Sequence, residues 1–343
     1  MEQALGRLTR DLAIDLGTTS TLVYAQGRGV VLDEPSVVAT RRGPSGGFGE
    51  VLAVGDAAHN MLGRTPEGIV VRRPLAHGVI GDFQLAEEML RTFIRWSAGR
   101  TAVVKPRALV CVPSGLSEVE RRAVHESTRA AGCREVQLIS QPVAAALGAG
   151  LPIFEPRGCM IVDIGGGTTE IAVMSLGGLV VSRSLRTAGS SFDAAIIEML
   201  KRDQDLEIGE RSAEALKREL GSAVPAALPQ RRSVKGRTLS TGRPKEISLT
   251  GEELRQALLA PLAEIVEVIR EVLSETPPEL AGDVLELGIV LCGGGALLPG
   301  LDEYLREATR LPVVLAEHPL RAVIHGAGAA VENPDLLPRL MLR

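Results

Sequence analysis

Aromatic side chains are nearly missing from this sequence, with one Trp, two Tyr and five Phe in 343 residues. That scarcity removes the stacking platforms on which single-stranded nucleic acid is bound. A formal net charge of −4 and a pI near 5.9 remove the basic footprint as well, so nucleic acid is not expected as a partner. Long apolar runs are also missing. No stretch reaches the roughly 18 uninterrupted apolar residues of a bilayer-spanning helix. Glu2, Arg7, Arg10 and Asp11 break any signal-peptide pattern at the N-terminus, so a protein that is neither secreted nor membrane-spanning is expected. Cysteine is sparse. Cys111, Cys133, Cys159 and Cys292 share no metal-like spacing, and at least three sit in apolar, strand-like runs, which suits buried, reduced thiols of a cytosolic protein.

The remaining composition, 45% hydrophobic and 23% charged, is that of a globular chain long enough for two domains. Glycine is abundant, and its placement carries the information. Residues 12–24 (LAIDLGTTSTLVY) have a second version at residues 160–173 (MIVDIGGGTTEIAV). Each copy is an apolar, β-branched run, an Asp, a Gly/Thr turn and a second alternating run, the pattern of a strand-turn-strand hairpin. Glycines let the turn fold tightly with its N–H groups converging, and Thr hydroxyls add donors, so an anion such as a triphosphate can be wrapped. An Asp beside such a turn repels phosphate, but it can hold Mg²⁺ through the waters that the ion keeps. Asp15 and Asp163 are therefore expected to face one Mg-nucleotide from opposite lobes. Either hairpin alone is an ordinary glycine turn in a buried sheet; the repetition points to a two-lobed phosphate clamp.

A third cluster lies at residues 287–301 (LGIVLCGGGALLPGL). It reads as a buried strand ending in a triple-glycine turn that opens a helix over residues 301–308. A flat ligand can approach such bare backbone closely, and a helix N-terminus favours phosphate; a tight strand-to-helix connection explains the same residues.

Along the chain, residues 29–39 add a strand pair and complete a three-stranded opening meander. Residues 41–49 show no periodicity and read as a loop. Apolar residues at helical spacing predict a helix over 82–96, then a strand over 108–113. Ser117 and Glu120 form a capping box for a helix running to Ala131 and stopping at Gly132,. A strand over 135–139 and an Ala-rich helix from Pro142 to Gly148 follow. In the second half, a helix over 212–220, a hairpin turning at Ser240-Thr241-Gly242, and a long helix over 252–273 containing Pro261 are expected. Arg231, Arg232, Lys235, Arg237, Arg243 and Lys245 make that hairpin basic, either as a solvated face, the favoured reading, or as an anion site.

These motifs resemble the MreB-like family of bacterial actin homologues over nearly the whole chain. The hairpin pair alone points only to the wider superfold of actin, sugar kinases and chaperone ATPases. The runs at 32–39 (LDEPSVVA), 111–115 (CVPSG), 118–124 (EVERRAV) and 292–298 (CGGGALL) narrow it to the MreB-like proteins. The resemblance implies an α/β, actin-like ATPase fold: two duplicated lobes with mixed five-stranded sheets flanked by helices, and two smaller inserted subdomains. Residues 1–36, 70–142 and 320–343 would form the first large subdomain and 37–69 the first small one. Residues 143–186 and 249–319 would form the second large subdomain and 187–248 the second small one. ATP or ADP with Mg²⁺ would lie in the cleft between lobes, with Asp15 and Asp163 holding the metal through water. Gly17, Thr18 and Thr19 match the first phosphate loop, and Gly165, Gly166, Gly167 and Thr168 the second. Gly293, Gly294 and Gly295 match the adenosine-side loop. Glu210, Glu214 and Lys217 match helix residues that border base and ribose; for Glu210, pairing on its own helix surface is nearly as good an account.

Two positions depart from the family pattern. Before Pro142 the family usually carries a Glu that orients or activates the attacking water, where this chain has Gln141. An amide can position water through its carbonyl but cannot accept the proton. Loss of a required base lowers the rate by roughly 10²–10⁴-fold, whereas loss of positioning alone matters less because phosphoryl transfer depends mostly on placement. Eukaryotic actin resembles this chain in having Gln there and still hydrolyses ATP once polymerised, so Gln141 and Asp163 are the catalytic candidates and slow hydrolysis is expected. The second departure is residues 189–193 (GSSFD), where the family often has Gly-Asp before the helix.

The family also binds the inner face of the cytoplasmic membrane. Two segments suit that role here: residues 1–10, with an apolar face that a frayed terminus explains equally well, and residues 96–107 (WSAGRTAVVKPR), where Trp96, Val103 and Val104 lie among cations,. A strand entry with Trp96 folded into the core is the competing account of the second. The resulting expectation is a polymerising, ATP-binding cytoskeletal protein, peripheral at the inner membrane face. Its partners would be itself, the membrane surface and proteins of cell-wall synthesis. The rival is a paralogue that binds ATP, barely hydrolyses it, and acts as a static scaffold or modifier of another filament. A metabolite kinase lacks a sugar pocket in this sequence, and a chaperone ATPase would need a further substrate-binding domain.

Overall fold

The structure, a computed structural model, describes residues 11–43, 48–98, 104–225 and 230–342. The first hairpin is β1 (Leu12–Leu16) and β2 (Ser20–Ala25), continued by β3 (Gly29–Pro35). Three strands, β4 (Val38–Arg42), β5 (Phe48–Val54) and β6 (Ile69–Arg72), make a small sheet with the short helix α1 (Asp56–His59). Residues 41–49 are therefore not a loop throughout, since strands take up both ends. The ladder between β4 and β5 is irregular after Ala39, and a Cβ on Gly49 would lie 2.3 Å from the Arg41 carbonyl. A glycine allows this bulged pairing, which disguises the period-two pattern.

A two-stranded ribbon, β7 (Leu75–Ala76) and β8 (Val79–Ile80), leads into α2 (Phe83–Ala98), β9 (Arg107–Val112), α3 (Glu118–Ala130), β10 (Glu135–Ser140) and α4 (Gln141–Gly148). The Ser117–Glu120 capping box is present, with each side chain bonding the other residue's backbone N–H. The second lobe repeats the plan with β11 (Cys159–Ile164), β12 (Thr169–Ser175) and β13 (Gly178–Leu185). Its inserted elements are α5 (Gly189–Gln204), β14 (Leu206–Glu207), α6 (Glu210–Leu220), β15 (Arg231–Thr238) and β16 (Pro244–Thr250). Then come α7 (Gly251–Glu275), continuous through Pro261, α8 (Pro278–Leu287), β17 (Ile289–Cys292), α9 (Leu301–Thr309), β18 (Val313–Leu315), α10 (Ala322–Glu332) and α11 (Leu337–Leu340).

The large sheets have the orders β10-β9-β1-β2-β3 and β13-β12-β11-β17-β18, the same order read from opposite edges. In each, the hairpin strands pair antiparallel and the crossover strands parallel. The expected mixed five-stranded sheets and duplicated α/β lobes are thus present. Three apolar cores hold them. One lies in each lobe, and a third, including Ala13, Cys111, Ile161 and Cys292, joins the lobes around α4 and α10.

Those two helices touch through bare backbone. A Cβ added to Gly148 would lie 1.9 Å from the Ala322 carbonyl oxygen, and one on Gly326 would lie 1.8 Å from that of Ala144. No side chain fits at either point, so the helices cross at backbone contact. All four cysteines are free and buried, as expected. Three of the six cations of the basic hairpin β15–β16 are ion-paired, Arg232 3.2 Å from Glu219, Lys235 3.8 Å from Glu246 and Arg237 on Glu207, in keeping with a solvated face.

Candidate nucleotide site

The cleft between the lobes has a volume of about 540 Å³, within the range of small-molecule sites. Sequence order explains what lines it. Parallel strands β1 and β9, and β11 and β17, end together at the cleft, so Asp15 lies in register with Cys111 and Asp163 with Cys292. All the nucleotide residues expected from the sequence line this one cleft: Asp15, Gly17, Thr18, Thr19, Gln141, Asp163, Gly165, Gly166, Gly167, Thr168, Glu210, Glu214, Lys217, Gly293, Gly294 and Gly295.

The first loop is built from below. Ser36 donates to the Gly17 carbonyl at 2.7 Å and accepts a 2.8 Å hydrogen bond from the Thr21 hydroxyl. From the side, Gly78 N–H donates to the Thr18 hydroxyl at 2.8 Å. The second loop faces it directly. A Cβ on Gly166 would lie 1.8 Å from Thr19 Oγ1, and one on Gly167 2.3 Å from Thr18 Oγ1. These glycines therefore make room for the opposite hairpin as well as folding their own turn. Gly293, at φ +82°, passes under the second loop where a Cβ would lie 2.4 Å from Asp163 Oδ1.

The expected strand and the helix expected over residues 301–308 are both present, as β17 and α9. A 3-10 turn (Gly295–Leu297), Pro299 and Gly300 at φ +73° stand between the glycines and that helix. The helix N-terminus is thus displaced from the glycines. The first amides of α5 instead brace the second loop, Gly189 N donating to Gly165 O at 3.1 Å and Ser190 N to Gly166 O at 2.8 Å. Such contacts need no side chain, so they survive the departure from the family pattern at residues 189–193.

The electrostatics centre on two carboxyls, Asp163 buried and Asp15 half-buried. Burial pushes Asp15 up to about 6, opposed by the Gln141 side chain, whose Nε2 donates to Oδ1 at 3.3 Å. Burial, then Asp15 and Glu170, push Asp163 up to about 7, opposed by a hydrogen bond from the Cys292 thiol. Two acids held out of water beside each other make a site that a divalent cation fits. Among the described residues no group of three His, Cys, Asp or Glu could hold a metal ion.

On the far wall, Lys217 lies 2.8 Å from Asp193 and donates to the Gly189 carbonyl at 3.0 Å. Glu214 pairs with Arg218 on its own helix at 2.6 Å. Glu210 does not pair along the helix; its nearest cation is Arg73 across the cleft, at 3.9 Å. Sequence reasoning missed Arg73, and it missed Glu170, a buried carboxylate that accepts from Ser114 N at 2.9 Å, Ser114 Oγ at 2.7 Å and Ser184. The acid in the GGGTTE run was a signal for Glu170, because its partner in the hairpin ladder is Asp163. The suggested membrane residues lie elsewhere. Trp96 sits on the last turn of α2, half-exposed and tilted against Phe93 with ring centroids 5.8 Å apart, so it is neither in a loop nor in the core. Val104 is half-buried; Val103 and residues 1–10 lie outside the described residues. No described helix is long and apolar enough to cross a membrane.

The sequence profile of the MreB/Mbl protein family matches residues 9–339. The cell shape-determining protein MreB of Escherichia coli (strain K12) is 50% identical over 332 residues, 96% of this chain and 96% of its own length. The cell shape-determining protein Mbl of Bacillus subtilis (strain 168) is 44% identical over 333 residues, 97% of this chain and 99% of its own. Among solved structures, MreB5 of Spiroplasma citri bound to AMPPNP has a TM-score of 0.89 at 36% identity, covering 95% of this chain and 97% of that one. The MamK double helical filament has a TM-score of 0.80 at 26% identity, covering 94% and 99%.

Proposed function

The chain belongs to the MreB/Mbl family, and from that premise we propose that it is an ATP-binding, filament-forming actin-like protein that organises cell-wall synthesis and cell shape at the inner membrane face. One observation carries the nucleotide part: the carboxyls of Asp15 and Asp163, from duplicated hairpins, sit in one cleft among three glycine-rich turns. The AMPPNP- and ADP-bound forms of S. citri MreB5, each at TM-score 0.89, support it. Self-association is supported by the filament structure of MamK. The four subdomains follow the boundaries given above, except that β6 carries the first small one to Arg72.

In this reading the loop amides and the Thr18, Thr19 and Thr168 hydroxyls wrap the phosphates, and Asp15 and Asp163 are the residues that would hold Mg²⁺. When bound, the metal would neutralise phosphate charge. Glu210, Glu214 and Lys217 border ribose and base, beside the Gly293–Gly295 turn. Gln141 spends its amide N–H on Asp15, which leaves its carbonyl oxygen to accept from the attacking water and fix its line of approach. It takes no proton, so hydrolysis is slow. Phosphate release measured with and without assembly tests this: a slow rate that rises on polymerisation supports the reading, and filaments with no release favour a static scaffold.

For the membrane, half-exposed Trp96 beside Arg95 at the end of α2 resembles an interfacial anchor. Co-sedimentation with anionic liposomes is expected to weaken in a Trp96→Ser, Val103→Ser, Val104→Ser variant. Unchanged binding removes this segment as the anchor.

A further inference from the structure

Arg73 follows β6 directly, lines the cleft, and carries a buried Nη1 with no hydrogen-bond partner among the described residues. Its nearest acid, Glu210 on the opposite wall, lies 3.9 Å from Nε, at the outer limit of an ion pair. The other arginines and lysines of the cleft wall are committed. Lys217 is held by Asp193 and the Gly189 carbonyl, Arg218 by Glu214 at 2.6 Å, and Arg211 donates to the Asn60 carbonyl at 3.3 Å. The cleft lining also carries Asp15, Asp163, Asp193, Glu210 and Glu214. A polyphosphate entering this acid-rich cleft retains negative charge after pairing with one divalent metal, and it needs a cation from the chain.

A buried guanidinium N–H without an acceptor destabilises the chain that carries it, and such groups are rare enough in folded proteins to call for a ligand. Arginine also suits the task, because its planar fork matches phosphate oxygens and its charge survives burial. We propose that Arg73 is the chain's own phosphate-binding cation: Nη1 donates to an anionic oxygen of the nucleotide's phosphate chain, and the long contact to Glu210 is released as it does so. The inference rests on the nucleotide-binding reading above and names a residue beyond it. It also gives the first small sheet, which Arg73 adjoins, a direct link to the ligand bound between the large lobes.

The test uses the full chain and the substitutions Arg73→Met and Arg73→Lys. Methionine keeps most of the apolar stem and removes the orphan donor, so the nucleotide-free variant should melt at or above the wild-type temperature. Its affinity for ATP and ADP should fall by about 10–100-fold, the range for a hydrogen bond to a charged group. Affinity for adenosine should be unchanged, and Arg73→Lys should fall between wild type and Arg73→Met for ATP. Wild-type ATP affinity in Arg73→Met, an equal loss for adenosine, or a lowered melting temperature without nucleotide would each overturn the assignment. Failure of the wild-type chain to bind ATP would instead remove the nucleotide reading, and this inference with it.

Discussion

At the tip of the first hairpin stand Thr18 and Thr19; at the matching place in the second stand Gly166 and Gly167. The strands that carry them have equivalent sheet positions, each with a buried cysteine in register with the cleft aspartate. The tips, however, are complementary rather than equal: the threonine side chains of one lobe occupy the space that missing side chains leave in the other. The helices that follow the sheets differ in the same way. Helix α4 opens with Gln141, hydrogen-bonded to Asp15, whereas α10 opens with Ala322 after the turn Pro319–Arg321 and offers no amide. Duplication thus supplies the frame, and divergence between the copies supplies the chemistry. Where the copies remain alike, at Gly148 and Gly326, their job is mechanical, a crossing of bare backbones that fixes how the lobes sit.

That comparison is sharpened most by filling the crossing. Gly326→Val should destabilise the fold by about 3 kcal/mol or more, since the new atoms meet a carbonyl on a rigid helix. Urea unfolding measures it, and a loss below about 1 kcal/mol would mean that the helices separate easily. Next comes the lobe that carries the amide. Gln141→Glu should raise hydrolysis by up to roughly 10²-fold if proton acceptance limits the rate, and an unchanged phosphate-release rate would show that position 141 does not limit it. Smaller is the effect of breaking the interlock: Gly166→Ala should weaken ATP binding by about 2 kcal/mol, and Thr19→Gly in the same chain should recover much of it. Additive losses would mean that the tips do not meet.

Smallest is a pH effect. Both Asp15 and Asp163 titrate above their ordinary value of 3.8, at about 6 and about 7, because burial disfavours their charge. The folded chain then keeps protons that the unfolded chain has released between about pH 4 and 7, so its metal-free stability should fall as pH rises through that window. Melting temperatures at pH 5.5 and 7.5 should show a drop that Mg-nucleotide reduces. A drop that ligand leaves untouched would place its origin outside the cleft.

Much of this was legible in the residues. The duplicated Asp-glycine runs defined both hairpins, the Ser117 box defined a helix start, and together they implied two like lobes. Other features depend on contacts between segments far apart in sequence. Nothing local to Arg73 tells that its guanidinium reaches a cleft whose other wall begins at Glu210. Gly148 and Gly326 look like helix-weakening residues until their helices are seen to cross. Likewise the glycine at position 49 hides a bulge in what reads as a loop, whereas the helix read after the third glycine cluster stands where it was expected, at α9.

The central claim is that carboxyls from two duplicated hairpins hold one Mg-nucleotide between them. Titration calorimetry of Mg-ATP into the wild-type chain and into Asp15→Asn and Asp163→Asn tests it most directly. One ATP per wild-type chain, with affinity lowered at least about tenfold by each substitution at fixed Mg²⁺, is the predicted result. No uptake by the wild type, or uptake that neither substitution disturbs, would contradict it.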